Sequence, residues 1–348
     1  MTAIQTVSTF YSALTGGDLP SAGRMLSRDV QWHAAHPINS LSGPDAVLDA
    51  YWSLIQSAMP DVEYRPFVRV SGTYDGAAMD GDGAAGTWVN TTGYFVGTFQ
   101  ASLLGIPPTG RSLFLRFGEM VRVDGDQIAE AYVILDFIDA MRQAGVSPLR
   151  ASAGARELVL PPAAMDGLSL SRDPGEAAGS LKLVRDMLDG LGRFDGKSLY
   201  SMGQEAYWSR DFMWFGPGGI GASRGLEGFR AHHQGPFLKA FPKRGVDRTK
   251  SLIAEGPYVA TGGWPHMTGH HLGGGWLGLP ASGKVVKMRV MDWWRCGDGR
   301  LVENWVNIDL IHILDQLGLD VFAQMRGLLG DRSSFSGAAG EDLPASPG

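Results

Sequence analysis

The sequence contains a single cysteine, Cys296, so no disulfide can form within the chain. It has no run of lysine or arginine, and its net charge of −6 argues against binding to the nucleic-acid backbone. No stretch approaches the roughly 20 apolar residues that span a bilayer. The first residues also lack the basic segment and apolar core of a secretory signal. We therefore expect a cytoplasmic protein that binds neither nucleic acid nor membrane.

What the chain does have is an internal repeat. Residues 104–146 align with residues 277–319 at a constant offset of 173 without a gap, and 12 of the 43 aligned positions are identical. Upstream, residues 29–33 match residues 211–215 at an offset of 182. The first copy therefore carries about nine extra residues, which we expect in the Gly-rich loop 71–86. A repeat of this length predicts two domains of one fold.

Each copy opens with an amphipathic helix and continues with strands of alternating character. Helices followed by antiparallel strands predict an α+β fold. The predicted organisation is a first domain at 1–146, an Ala/Pro/Gly-rich linker at 147–180, a second domain at 181–326 and a disordered tail at 327–348.

Three features of both copies resemble one family. They are a tryptophan strand before a Gly-led helix, the hairpins LGIPPTGR (104–111) and LGLPASGK (277–284), and the ending E-x5-D-x6-Q-x-G. Together they resemble the SnoaL-like polyketide cyclases, or ester cyclases, of the nuclear transport factor 2-like superfamily. The resemblance covers about 145 residues of each half. It implies two tandem cones, each a curved antiparallel sheet with N-terminal helices enclosing a pocket.

The resemblance also implies a chemistry. The family's founding activity is an intramolecular aldol ring closure on an aromatic polyketide methyl ester, with an aspartate as base and no cofactor. The matching positions are Asp309 and, in the first copy, Asp136. The family tends to have G-T-H before its hairpin. The first copy lacks this histidine, whereas His270 and His271 lie near its place in the second copy and become further catalytic candidates.

Strand alternation places the two aspartates among polar and aromatic neighbours. One face of each strand is predicted to carry Ile128, Glu130, Tyr132, Ile134 and Asp136, or Leu301, Glu303, Trp305, Asn307 and Asp309. Such a mixed face suits a ligand pocket, and burial among aromatics raises a carboxyl pKa toward the range of a general base. The alternative is that both aspartates cap the helix that begins there. Spacing alone leaves both interpretations open.

Further candidates for ligand contact are His33, His36, Tyr132, Trp214, Trp276, Trp305 and Asn307. Seven of the ten tryptophans lie in the second half, together with the histidine cluster, which favours the second unit as the active one. Core packing of the aromatics and surface placement of the histidines are the alternatives. No carboxylate or cysteine completes a metal-ligand set around these histidines, so we expect no metal.

The leading functional prediction is a cofactor-independent cyclase or isomerase acting on a small apolar or aromatic, polyketide-like carbonyl compound. Two alternatives are a non-catalytic protein that binds a hydrophobic small molecule and a structural dimerisation protein, because one fold can host many chemistries. Single-unit relatives commonly pair through their sheets, so the fusion predicts a pseudo-dimer within one chain, with a further homo-oligomer left open.

Overall fold

The computed structural model describes residues 1–76, 85–154, 158–168, 173–247 and 249–336, with side chains to residue 330. The predicted extra loop of the first copy falls largely on residues 77–84, which lie outside the described residues. The described chain forms two α+β units, as the repeat predicts. No helix in these ranges is both long enough and apolar enough to cross a bilayer.

The first unit contains α1 (Ala3–Thr15), α2 (Leu19–Arg24), β1 (Leu26–Ala34), β2 (Ser40–Ser42), α3 (Pro44–Ala46), a π-helical turn (Val47–Trp52), α4 (Ser53–Ala58), β3 (Glu63–Tyr74), β4 (Gly86–Thr98), β5 (Ser112–Asp124), β6 (Gln127–Leu135) and α5 (Phe137–Gln143). The second unit contains α6 (Pro174–Leu191), two 3-10 turns (Leu199–Met202, Gln204–Ala206), β7 (Trp208–Phe215), β8 (Ala222–Arg224), α7 (Gly225–Phe229), a π-helical turn (Arg230–Gln234), α8 (Gly235–Ala240), β9 (Lys243–Val246), β10 (Ser251–Glu255), β11 (Tyr258–His270), a 3-10 turn (Trp276–Gly278), β12 (Val285–Gly297), β13 (Arg300–Ile308), α9 (Leu310–Leu317) and α10 (Val321–Ser336).

Each unit is built on one mixed sheet. The strand orders are β2-β1-β6-β5-β4-β3 and β10-β11-β12-β13-β7-β8, with β9 paired to β11. All pairs are antiparallel except β1 with β6 and β7 with β13. The sheets were predicted to be antiparallel throughout, but each contains one parallel pair of strands. The parallel pairs arise because the first strand of each unit joins the last one, and the intervening chain is long enough for the crossover.

A long helix covers one face of each sheet. In α1, a capping box of Thr2 and Gln5 fixes the start, and Val7, Phe10 and Leu14 are buried at helical spacing. In α6, Asp173 is the N-cap, Pro174 occupies the first turn, and the apolar stripe again faces the sheet. We call the sheet face under α1 or α6 the helix-covered face. Because side chains alternate along a strand, every second residue faces the other way.

The opposite faces of the two sheets pack against each other. A Cβ atom on Gly118 of β5 would lie 2.7 Å from the amide of Asn307 and 3.0 Å from the ring of Trp293, so the sheets approach closely there. Trp293 Nε1 donates to the carbonyl of Asn90, and Asn307 Nδ2 donates to Thr92 Oγ1. We call this the inter-unit face.

Reciprocal bonds relate the two units. Asp136 Oδ2 accepts from the amide of Gly218 (2.7 Å), and Asp309 Oδ2 accepts from the amide of His36 (3.0 Å). Asp136 corresponds to Asp309 at the offset of 173, and His36 corresponds to Gly218 at the offset of 182. The same contact is thus made twice with the roles of the units exchanged, which defines an approximate two-fold relation.

The linker is shorter than predicted, and part of the predicted tail is helical. Helix α6 begins at Pro174, inside the segment 147–180 assigned to the linker, because an Asp-Pro start favours a helix there. Helix α10 continues to Ser336, and Phe322 and Met325 near its start are buried. Residues 337–348 lie outside the described residues.

Candidate functional site

A carboxylate lies on the helix-covered face of the second unit. Asp292, on the central strand β12, accepts a hydrogen bond at Oδ1 from Asn304 Nδ2 on β13 (3.3 Å). Burial raises the pKa of Asp292 to about 7, while the Asn304 hydrogen bond acts in the opposite direction. The side chain is surrounded by protein and yet retains accessible surface. Asp292 is therefore deeply set without being sealed, which suits an acid or base near neutral pH.

An aromatic wall stands beside Asn304, the hydrogen-bond partner of this carboxylate. Trp214 of β7 pairs in register with Asn304, and its ring stacks on His233 with the centroids 4.2 Å apart. Phe229 packs against the same indole at 5.4 Å. Burial lowers the pKa of His233 to about 3, so its imidazole is neutral at physiological pH. The wall thus offers apolar rings and a neutral imidazole on the side of Asn304, which binds Asp292.

Several buried polar atoms in this part of the second unit have no hydrogen-bond partner among the described residues, and two of them are ring nitrogens that concern the site. One is Nε1 of Trp294, which follows Asp292 by two residues on β12 and therefore shares its face. The other is the ring of His233, whose buried Nδ1 has no partner in the same ranges. His233 lies in a π-helical turn, a feature that often occurs at functional sites. Buried polar groups without partners are costly, which makes both positions unusual for a purely structural interior.

The first unit carries a counterpart, Glu119, at the offset of 173 from Asp292. Its two carboxylate oxygens accept hydrogen bonds from the phenols of Tyr11 and Tyr64, whose rings stack 3.9 Å apart. Burial raises the pKa of Glu119 to about 6, against the lowering effect of the two tyrosines. The side chain is fully buried. This carboxylate is therefore closed off by its own unit.

The surroundings of the two carboxylates explain the difference. In the first unit Ala131 replaces Asn304, and Tyr51 stands in the place of His233. Tyr51 packs on Trp32 at 5.1 Å, and both rings are fully buried. The helix-covered face of the first unit is thus filled by packed aromatic groups, whereas the second unit keeps Asp292 and His233 partly accessible.

Asp136 and Asp309, the predicted bases, lie at the ends of strands on the inter-unit face. Asp136 caps α5 by accepting from the amide of Asp139 (3.0 Å), and Asp309 caps α9 by accepting from the amide of His312 (3.1 Å). Asp309 also pairs with Arg289 at 3.0 Å. Both carboxyl groups are nearly inaccessible and hold structural contacts. Their catalytic role stays a prediction.

Most predicted ligand residues also lie at the boundary between the units. Trp305, Asn307 and Tyr132 are buried on the inter-unit face. His33 stacks on Tyr132 at 4.8 Å, and burial lowers the pKa of His33. The ring of His36 lies 6.4 Å from that of His312. Trp305, Asn307 and Tyr132 were expected to line a pocket, but the face on which they lie meets the other unit.

The remaining candidates belong to the interior of the second unit. Trp214 belongs to the wall beside Asp292. His271 packs against Phe241 at 5.1 Å, and Trp276 meets the same ring edge-on at 5.2 Å. Burial lowers the pKa of His271, whose Nδ1 lies 3.1 Å from Ser282 Oγ. His270 is half-buried at the end of β11, opposite Val285.

Sequence reasoning did not select Asp292, Asn304, His233 or Glu119. A usable signal was present, because the gapless repeat pairs Glu119 with Asp292, an acidic residue in an apolar strand of each copy. Counting only identical residues hides this pair. Within the described ranges, no three His, Cys, Asp or Glu side chains lie close enough together to hold a metal ion.

Comparison with known proteins finds two matches to related family models, one in each unit. The model of the SnoaL-like polyketide cyclases matches residues 203–317, and that of the SnoaL-like domain matches residues 7–131. No curated protein matches the chain.

Similar solved structures each cover one unit. One is IdmH from Streptomyces antibioticus, a candidate polyketide cyclase. It is 23% identical, and the match covers 41% of this chain and 97% of the IdmH chain, with a TM-score of 0.32. AclR from Streptomyces galilaeus, provisionally a hydroxylase, is 26% identical over 41% and 97%, with a TM-score of 0.33. An NTF2-like protein of unknown function from Burkholderia pseudomallei is 19% identical over 40% and 94%, with a TM-score of 0.31.

Proposed function

Because the chain consists of two SnoaL-like domains in tandem, we propose that it is a cofactor-independent cyclase or isomerase of a small aromatic carbonyl compound. The second unit is the working one, and Asp292 is its general base. The observation that carries this proposal is the partly accessible Asp292 carboxylate, whose pKa is raised to about 7 by burial. A base with a pKa near the working pH is best matched to proton transfer from carbon.

The chemistry follows from the groups around Asp292. Its carboxylate takes a proton from the carbon next to a carbonyl, and the electron pair of that C–H bond forms an enolate. The enolate oxygen needs a donor, and the neutral, partly accessible imidazole of His233 is our candidate for this role. A neutral donor stabilises the enolate without giving up its proton.

Ring closure or isomerisation differs only in what the enolate does next. In a cyclase, the enolate carbon attacks a second carbonyl of the same molecule, a C–C bond forms, and the new alkoxide takes back the proton held by Asp292. In an isomerase, the proton returns to a different carbon. Either cycle ends with Asp292 ionised again. The Trp214–His233 stack supplies a flat apolar wall of the kind that an aromatic substrate packs against.

The first unit has a structural role and no catalytic one. Glu119 is chemically similar to Asp292, but two tyrosines occupy both of its oxygens and its accessible surface is nil. A base without a free oxygen cannot meet a substrate. The first unit therefore acts as the packing partner that stabilises the sheet of the second unit.

The experiment is deuterium incorporation next to the carbonyl of 2-tetralone, a bicyclic aromatic ketone, followed by proton NMR in D2O. We expect Asp292→Asn to lower the protein-catalysed exchange rate by roughly 10²- to 10⁴-fold. Ketone binding, measured by quenching of tryptophan fluorescence, should change little. Glu119→Gln is the matched control, since it neutralises the corresponding carboxyl of the other unit, and its exchange rate should stay within about twofold of the wild type.

Two outcomes would count against this assignment. Loss of exchange in Asp309→Asn together with full activity in Asp292→Asn would make Asp309 the base, as the family resemblance implies. Ketone binding by the wild type without any exchange would favour a protein that binds an aromatic molecule without turning it over.

A further inference from the structure

Strand β9 of the second unit carries a half-buried arginine, Arg244. Its guanidinium lies 5.3 Å from the ring of Phe194, and its Nη1 donates to the carbonyl of Phe241 (3.3 Å). Burial lowers the pKa of this guanidinium, and among the described residues no carboxylate raises that pKa as an ion pair would. Charged groups withdrawn from water are normally paired, so this arginine is unusual for a purely structural position.

Arg244 projects from the helix-covered face. Two residues further along β9, Val246 corresponds at the offset of 182 to Tyr64, whose hydroxyl reaches Glu119 on that face of the first unit. Residues two apart on a strand face the same way. Val246 is 43% exposed, so the place where the ring of Tyr64 closes over Glu119 is open in the second unit. The helix-covered face of the second unit is therefore accessible beside Arg244.

A row of aromatic rings leads from Arg244 to the wall of the candidate site. His233, Phe237 and Phe241 follow one another at four-residue intervals through the π-helical turn and α8. The rings of Phe241 and Phe237 lie 5.2 Å apart, those of Phe237 and His233 lie 5.7 Å apart, and His233 stacks on Trp214. Eight residues of helix rise roughly 12 Å, which is about the length of three fused rings with a carboxylate. We call this row the aromatic track.

The first unit closes the same track. The residues at the corresponding positions, at the offset of 182, are fully buried: Tyr51, Ile55 and Met59. Val62, which is 4% exposed, takes the place of Arg244. In the second unit, by contrast, His233, Phe237 and Arg244 are all partly accessible. The positive charge and the access thus occur together, in the unit that holds Asp292.

We propose that the substrate of the second unit is an aromatic carbonyl compound that also carries a carboxylate, with its flat rings along the aromatic track and its carboxylate paired with Arg244. This substrate class rests on the function proposed above, because the carbonyl end then lies toward Asp292. A planar guanidinium matches a carboxylate through two parallel N–H···O bonds, which fixes the direction of the molecule as well as binding it. Aromatic rings packed against aromatic side chains supply the rest of the affinity.

The test compares the binding of anthracene-2-carboxylate with that of anthracene-2-carboxamide, a neutral molecule of nearly the same shape. The anisotropy of the anthracene fluorescence measures both affinities. We expect the acid to bind roughly 10- to 100-fold more tightly, because hydrogen bonds to a charged group are the stronger ones. Arg244→Met should abolish this preference, and Arg244→Lys, which keeps the charge, should retain part of it. Lys243→Met is the matched control, since it removes the exposed neighbouring cation of β9 and should leave the preference intact.

The outcomes separate this proposal from the role of Asp292. Equal affinities for the acid and the amide, or a preference that survives Arg244→Met, would overturn the substrate class and leave Asp292 as the base. Where 2-tetralone exchange depends on Asp292, the acid should inhibit it competitively, raising KM without lowering kcat. Binding of the acid without a change in KM would place it elsewhere and refute the assignment. A preference lost in Arg244→Met, in a protein that exchanges no 2-tetralone, would refute the base alone and keep an aromatic acid as the bound molecule.

Discussion

Glu119 and Asp292 hold the same position in their two units, 173 residues apart, but only Asp292 keeps an oxygen that no tyrosine occupies. Both carboxyl groups have raised pKa values because protein surrounds them. The two carboxyl groups differ in their accessible surface, which is nil for Glu119 and partial for Asp292. One fold has thus produced a closed carboxyl in one copy and a partly open one in the other, and the predictions below depend on this contrast.

The first prediction concerns the pH dependence of carbon-acid exchange. Asp292 acts as a base only when ionised, and burial raises its pKa to about 7. We expect kcat/KM to rise about tenfold per pH unit below 7 and to level off above it. The pKa of His233 is lowered to about 3, so its titration should cause no further change in kcat/KM between pH 5 and 9. A profile that levels off already near pH 4 would point to a carboxyl with an ordinary pKa.

The second prediction concerns stability. The pKa of Asp292 is raised on folding, so protonation favours the folded state at low pH, and this contribution is lost as the pH rises through about 7. Asn cannot ionise. The stability gained by Asp292→Asn should therefore grow by about 3 kcal/mol between pH 5 and 8.5. Urea unfolding at both pH values measures it, and a gain that does not change with pH would contradict the raised pKa.

The third prediction concerns the inter-unit face. Gly118→Val places carbon atoms where Asn307 and Trp293 already lie, because even a Cβ would be 2.7–3.0 Å from them. Overpacking of this kind costs about 1–3 kcal/mol. Thermal unfolding should show the loss. Gly245→Ala is the control, since nothing lies within 4 Å of its Cβ position, and it should leave the melting temperature nearly unchanged.

The fourth prediction concerns the bond between Asp136 and the amide of Gly218. Asp136→Ala removes a helix cap, at about 1 kcal/mol, and leaves a buried N–H of the other unit unpaired, at about 1–3 kcal/mol more. Asp18→Ala is the comparison, because Asp18 caps α2 through Ser21 without reaching the other unit. Equal losses of unfolding free energy in the two variants would mean that the inter-unit bond contributes nothing.

The fifth prediction concerns Arg116, a buried guanidinium that donates to the carbonyls of Phe215, Gly216 and Val306. Arg116→Met keeps the apolar stem but leaves three carbonyls of the second unit without this donor. We expect a loss of about 3 kcal/mol or more in unfolding free energy. Arg65→Met, at an exposed ion pair with Glu63, should leave the unfolding free energy nearly unchanged.

Much of the fold follows from the sequence, since a gapless repeat and amphipathic spacing suffice to predict two α+β units and their opening helices. Alternation also predicts which residues share a strand face. It does not tell which face meets the other unit, because Tyr132 and Trp305 are as apolar as pocket residues and the partner surface is distant in sequence. The closure of Glu119 is equally hidden, since Tyr11 lies 108 residues away and Tyr64 lies 55 residues away.

The reciprocal bonds of Asp136 and Asp309 show what fusion of the two units permits. In a symmetric homodimer every substitution at the boundary appears twice, so one residue must fit both contacts. Here Gly218 lies against Asp139, where a Cβ would be 2.7 Å from the amide nitrogen, while the equivalent position holds the full imidazole of His36 facing His312. A first unit paired with a copy of itself would set His36 against Asp139, where even a Cβ is too close to the backbone. The chain is in effect a heterodimer encoded as one polypeptide, whose halves have diverged in complementary ways and are no longer interchangeable.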